Sequence, residues 1–193
     1  FPFVSGNVSL DNETNGRAIL PTPSIGGVGF LADFTTSASL AFKNDGDVIL
    51  LIGETLGWLG QSMYLREICG REEGAPPSVD LALEKRHGEF VRKLIADGRV
   101  TAVHDLSDGG LGVALAEMAM ASRLGAALDA PQGIAAHAFW FGEDQARYVV
   151  TAKALDAAAA MAALRAQNVP VQKLGVVAGK EIRAGVLKHP EWV

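Results

Sequence analysis

The chain has 193 residues, a length that suits one large domain or one domain with an appendage. Its 49% hydrophobic and 20% charged residues describe a globular chain, and a net charge of −5 with no Lys/Arg cluster argues against a nucleic-acid partner. One cysteine, Cys69, leaves no internal disulfide or cysteine-based zinc site, and no apolar run reaches the roughly 18 residues that a membrane span needs.

A single cysteine fits a reducing cytoplasm. No signal peptide is visible, and the absence of Met at position 1 points to a piece whose upstream part is missing.

The opening stretch is Phe3-Val4-Ser5-Gly6-Asn7-Val8-Ser9. Gly6 has no Cβ, so a ligand can approach its backbone. Asn7 offers a hard carbonyl oxygen suited to Mg²⁺, and Ser5 and Ser9 carry hydroxyls. The segment reads either as a phosphate-and-metal corner or as a polar turn leading into a strand.

Asn15-Gly16 predicts a turn between two short strands, and Pro21 and Pro23 stiffen an extended segment. Gly26-Gly27-Val28-Gly29 lacks both the Lys-Ser/Thr of a P-loop and the context of a dinucleotide fingerprint. Residues 33–41 read as irregular or weakly extended. Asp47-Val48-Ile49-Leu50-Leu51-Ile52 is a continuous apolar run and predicts a buried strand. A helix is expected over 60–69, with Cys69 buried as a small hydrophobe at its end.

Ser78 is the expected N-cap of the next helix, with Asp80 in its first turn. Val79, Leu83, His87, Phe90 and Leu94 mark its apolar stripe, and Gly98 its end. A short strand is expected over 100–103, a turn over 104–110 and a helix over 111–123. Further strands are expected over 125–128, 146–151, 169–171, 174–177 and near Ile182, with an alanine-rich helix over 152–167. Irregular alternation of strands and helices predicts an α/β or α+β domain with a mixed β-sheet and packed helices.

Two more stretches carry chemistry. His104-Asp105-Leu106-Ser107-Asp108-Gly109-Gly110 follows a strand, where ligands of α/β domains gather. Asp105 and Asp108 can bind Mg²⁺ through carboxylates, while Ser107 or Asp108 can equally cap the following helix. Glu143-Asp144-Gln145 either reads a polar ligand or forms a charged strand entry. His104 reads as a hydrogen-bonded structural residue or an acid/base. His87 reads as core, and His137 and His189 have no companions for a metal site.

Taken together, these motifs resemble the large synthetase component of phosphoribosylformylglycinamidine synthase. Phe3 to Leu10, Asn12-Glu13-Thr14, Pro21-Thr22-Pro23 and Ile25 to Gly29 match its opening pattern, followed in register by Val103 to Leu111 and Gly142 to Val149. The resemblance covers nearly the whole chain and implies the C-terminal domain of the second half. That domain is of the aminoimidazole ribonucleotide synthetase (PurM-like) type. Residues 1–30 would be a Gly/Pro-rich active-site segment leading into a synthetase-type α/β domain over 31–193.

The resemblance implies a ligase of purine biosynthesis. Formylglycinamide ribonucleotide, ATP and glutamine-derived ammonia would give formylglycinamidine ribonucleotide, ADP and phosphate. It also implies roles: Gly6 for ATP, Asn7 for Mg²⁺ and Ser9 for the ribonucleotide. Asp105, Glu143 and Gln145 would form a second, pseudo-symmetric site of structural character. The implied partners are the upstream half of the same enzyme and a glutaminase subunit or domain, and the chain alone would be inactive. Asp11 departs from the family, which usually has an aromatic residue there. Two readings stand beside this one. One is another superfamily member: aminoimidazole ribonucleotide synthetase, selenophosphate synthetase or thiamine-monophosphate kinase. The other is a noncatalytic scaffold or binding domain.

Overall fold

The structure, a computed structural model, describes residues 5–6, 12–19, 23–31 and 33–185. The chain forms two compact units, Phe1–Ala32 and Asp33–Val193. The first contains a minimal hairpin of β1 (Glu13–Thr14) and β2 (Arg17–Ala18), paired antiparallel. Asn15 and Gly16 both have positive φ, 52° and 76°, as a two-residue hairpin turn of the I′ class requires. The predicted turn is therefore observed. Pro21 and Thr22 of the expected stiff segment, and His189, lie outside the described residues.

Among the described residues, the second unit is built on a six-stranded sheet. Its strands are β3 (Val48–Ile52), β4 (Ala102–Asp105), β5 (Ala126–Leu128), β6 (Tyr148–Ala152), β7 (Val171–Val177) and β8 (Ile182–Ala184). They lie in the order β4-β6-β3-β7-β5-β8. Neighbours are antiparallel except β5 and β8, so the sheet is mixed, as expected.

Among the described residues, four helices cover the sheet: α1 (Leu81–Ala96), α2 (Gly110–Ser122), α3 (Ala136–Phe141) and α4 (Ala154–Ala166). Alternation along β3 sorts them into two layers. Ile49 and Leu51 join Leu111, Leu115 and Met118 of α2 and Phe139 of α3. Val48, Leu50 and Ile52 join Phe90, Val91 and Leu94 of α1 and Ala157, Ala160 and Leu164 of α4. A strand covered on both faces must be apolar throughout, which is why β3 reads as an unbroken hydrophobic run. Each of its larger side chains contributes about 1.5–3 kcal/mol on burial.

Several local expectations are corrected. The helix expected over 60–69 is a single π-type turn, Tyr64–Ile68, and Cys69 after it is exposed rather than buried. One turn is too short to carry an apolar stripe back to the core. Asp80, not Ser78, caps α1, its carboxylate accepting from the N–H groups of Ala82 (2.9 Å) and Leu83 (3.0 Å). Val79 therefore precedes the helix and is exposed. β4 starts later than expected and runs through His104 to Asp105, and β7 is one strand where two segments were expected.

The cap is separately testable. Asp80→Ala should cost about 1 kcal/mol and lower the thermal midpoint by about 2–4 °C, while Ser78→Ala leaves it unchanged. Thermal unfolding followed by circular dichroism checks both. No helix among the described residues is long and apolar enough to cross a membrane.

Candidate functional site

β4 is antiparallel to β6, and Asp105 pairs with Tyr148. The loop leaving β4 and the loop entering β6 therefore meet at one end of the sheet. Between them lies a cleft of about 320 Å³ lined by Asp105, Ser107, Asp108, Glu143, Gln145 and Tyr148 among others. Two motifs far apart in sequence are thereby brought into one concavity, and Asp105, Glu143 and Gln145 all line it.

The side chains there divide into an exposed set and a structural set. Asp105, Ser107, Asp108 and Gln145 are exposed. Asp105 lies 3.3 Å from His104 Nδ1, and His104 Nε2 lies 2.8 Å from Glu117 Oε2. His104 thus sits between two carboxylates as a hydrogen-bonded residue.

Glu143 and Asp144 are tied to backbone. Glu143 Oε1 accepts from the N–H groups of Met63 and Gly109, each at 2.8 Å. Asp144 is buried, and its two oxygens accept from Leu56 (3.1 Å), Gly57 (2.9 Å) and Trp58 (3.2 Å) N–H. The 54–58 loop therefore wraps around one carboxylate. Charge-assisted bonds of this kind are roughly twice as strong as neutral ones.

Sequence reasoning placed Arg147 in a strand and assigned it no role. It is 2% exposed and lies in the loop before β6. Its Nε donates to Asp144 O (3.1 Å), Nη1 to Thr55 Oγ1 (3.2 Å) and Nη2 to Gly142 O (2.5 Å), with Asp144 Oδ2 3.8 Å from Nη1. Burial pulls this guanidinium below the usual arginine range, and the charges of Asp144 and Glu143 oppose that shift. The signal available in sequence was an arginine three residues after an acidic pair and just ahead of an apolar strand. Tyr148 is half-buried, and burial first, then Glu84 and Asp105, raises its phenol above the usual range. Its hydroxyl therefore keeps its proton at neutral pH and remains a donor.

The start of α2 corrects another expectation. Neither the Ser107 nor the Asp108 side chain caps it; the N-cap is Gly109, with no side-chain cap bond. Gly109 and Gly110 have φ of 79° and 64°, a run of left-handed backbone that disfavours side chains. The Gly110 N–H donates to the Ser107 carbonyl (3.0 Å), and Glu143 from the other loop takes the Gly109 N–H. A carboxylate at a helix N-terminus also meets the favourable end of the helix dipole.

Among the described residues, no group of three or more His, Cys, Asp or Glu could hold a metal ion. Mg²⁺ takes one or two carboxylates with phosphates and water rather than a protein cage, so exposed carboxylates are the donor type it would use. Asp105 and Asp108 supply exposed carboxylates of that kind. Of the opening motif, Gly6 is exposed and has open space where a Cβ would stand. Asn7, Ser9 and Asp11 lie outside the described residues.

Comparison with known proteins identifies the fold family. The family model "AIR synthase related protein, C-terminal domain" matches residues 44–187. The phosphoribosylformylglycinamidine synthase subunit PurL of Nitrobacter hamburgensis is 68% identical over 183 residues, 94% of this chain and 25% of that protein. The chain thus spans about a quarter of the length of the curated relatives it matches. T. maritima PurL complexed with FGAR has the same fold, with a TM-score of 0.65 at 18% identity over 78% of this chain and 27% of that one. T. maritima PurL complexed with ATP aligns with a TM-score of 0.61 at 17% identity over 78% and 25%. The resemblance read from the motifs is borne out: the chain belongs to the family of AIR synthase related proteins, as their C-terminal domain.

Proposed function

We propose that this chain is the C-terminal domain of the second half of a cytoplasmic phosphoribosylformylglycinamidine synthase, and that it contributes one wall of the ATP-dependent amidine-forming site. The observation that carries the proposal is the 68% identity to a PurL subunit across 94% of the chain. The whole enzyme would convert formylglycinamide ribonucleotide, ATP and ammonia into formylglycinamidine ribonucleotide, ADP and phosphate. Its remaining length and a glutaminase subunit or domain supply the rest.

In this reading residues 1–30 are the active-site segment and residues 31–193 the synthetase-type domain. The Gly6 backbone lies against ATP, the Asn7 carbonyl oxygen is a ligand of Mg²⁺, and the Ser9 hydroxyl bonds the ribonucleotide. Mg²⁺, when bound, supplies charge neutralisation on the phosphates. The protein's own part is positioning: small and polar side chains bring the amide oxygen and the terminal phosphate into reach while excluding water. Asp105, Glu143 and Gln145 form the pseudo-symmetric second site. The bonds of Glu143 Oε1 to two backbone amides support a structural character there.

The test uses the full-length synthetase that contains this chain. Asn7→Ala and Ser9→Ala should each lower amidine synthesis by roughly 10²-fold. Asn7→Ala should also raise the Mg²⁺ concentration needed for half-maximal rate, and the 193-residue chain alone should show no turnover. Wild-type rates and Mg²⁺ dependence in both variants would overturn the assignment.

A further inference from the structure

We propose that Glu84 and His87 of α1 are positioning residues for the cleft, holding both polar groups of Ala146 and thereby setting how Gln145 and Tyr148 face it. The cleft it shapes is the second site proposed above; the clamp itself stands on geometry alone.

Ala146 is the point at which the 142–147 loop turns into β6. Its φ is 56°, a left-handed conformation that costs a residue with a Cβ, and it is 6% exposed. Something must hold it there. Glu84 Oε1 accepts the Ala146 N–H at 2.7 Å, and His87 Nδ1 lies 2.8 Å from the Ala146 carbonyl oxygen. A carbonyl oxygen only accepts, so Nδ1 carries the proton and donates. One residue is gripped from both its donor and its acceptor by neighbouring turns of one helix.

The same helix face continues to Gly88. Positions 84, 87 and 88 are spaced i, i+3, i+4 and share one side of α1. A Cβ at Gly88 would stand 3.2 Å from the Tyr148 hydroxyl, so the glycine lets the phenol lie against the helix. Tyr148 in turn pairs with Asp105 across β4 and β6. The α1 face thus meets Ala146 and Tyr148, two residues that line the cleft.

His87 is completely buried on the apolar stripe beside Phe90 and Leu94. A hydrophobic residue would fill that stripe equally well. What histidine adds is the Nδ1–H for Ala146, and its Nε2 finds no partner among the described residues. Glu84 likewise spends its carboxylate on a backbone amide inside the cleft wall, where it also lines the cavity.

The test compares Glu84→Ala, Glu84→Gln and the double variant Glu84→Ala/Ala146→Gly in the full-length synthetase. Amide hydrogen exchange of the peptide spanning 143–148 reads the clamp; KM and kcat for ATP read the amidine-forming site separately. Glu84→Ala should speed exchange there about tenfold, the loss of one charged hydrogen bond. KM and kcat for ATP, which the proposed function ties to the Gly6 segment, should stay within about twofold. Glu84→Gln keeps an accepting oxygen and should restore slow exchange. Ala146→Gly occupies the left-handed region without a Cβ penalty and should bring the exchange partway back in the double variant.

Unchanged exchange in Glu84→Ala overturns the proposal. So does faster exchange that Glu84→Gln does not repair, or a joint fall in kcat and thermal midpoint that neither Glu84→Gln nor Ala146→Gly repairs. If the wild-type enzyme forms no amidine, the proposed reaction fails instead, and the exchange comparison between the Ala and Gln variants still decides the clamp.

Discussion

Asp144→Ala is expected to lower the thermal midpoint of the chain by about 6–20 °C, from a loss of about 3–5 kcal/mol. The carboxylate is 5% exposed and accepts from three consecutive backbone N–H groups at Leu56, Gly57 and Trp58. Alanine leaves all three donors without their acceptor. It also removes the counter-charge nearest the Arg147 guanidinium, which is itself buried and bonded only to neutral oxygens otherwise. Removing one partner of a buried pair is more costly than the pair is stabilising, because the remaining charge stays desolvated. Asp144→Asn keeps the shape and one acceptor but turns an NH₂ group toward backbone donors, so it should fall between alanine and wild type. Thermal unfolding of the three proteins checks the order. A midpoint within about 2 °C of wild type for the alanine variant would show that the 54–58 loop finds other acceptors.

Gly110→Ala should cost about 2–5 kcal/mol and lower the midpoint by about 4–20 °C. Two effects add. Its φ of 64° lies in the left-handed region, at about 1–2 kcal/mol for a residue with a Cβ. That Cβ would also run into the Gly142 carbonyl oxygen, which Arg147 Nη2 already holds at 2.5 Å. The carbonyl cannot retreat without releasing the arginine. Gly133→Ala separates the two effects: its φ is 74°, but a Cβ there meets nothing within 4 Å. It should pay only the backbone part. Equal losses at both positions would mean that the packing of α2 against the 142–147 loop is softer than the contacts indicate.

Both predictions concern loops whose roles are set at a distance. The Asn15-Gly16 turn was legible because two left-handed residues in a row almost demand that pair. β3 was legible because five consecutive apolar residues have few other fates in a mixed sheet. The stripe on α1 was legible from its period, and His87 on it is fully buried, as expected. The family was legible because several individually weak motifs stood in register along one chain.

The boundaries were less so. Ser78 and Asp80 are both good N-caps, and propensity alone does not choose between them; the carboxylate that reaches two amides, Ala82 and Leu83, does. Cys69 looked like the buried end of an amphipathic helix, but the helix closes only one π-type turn, which leaves the thiol exposed.

Local pattern, carried by turn chemistry and by periods of two and 3.6 residues, was enough for most of the elements, though not for α3 or the turn at Tyr64–Ile68, and for the mixed sheet and the two carboxylate-bearing stretches. Those signals act between neighbours in the chain. They are silent on which way a side chain turns once two loops meet. That Glu143 and Asp144 point into backbone amides, that Arg147 is buried beneath them, and that Glu84 grips Ala146 are outcomes of pairings 34 to 92 residues apart in sequence. Burial forces each of those polar groups to find a partner, and only the packing of β4 beside β6 and of α1 against them decides which partner is within reach.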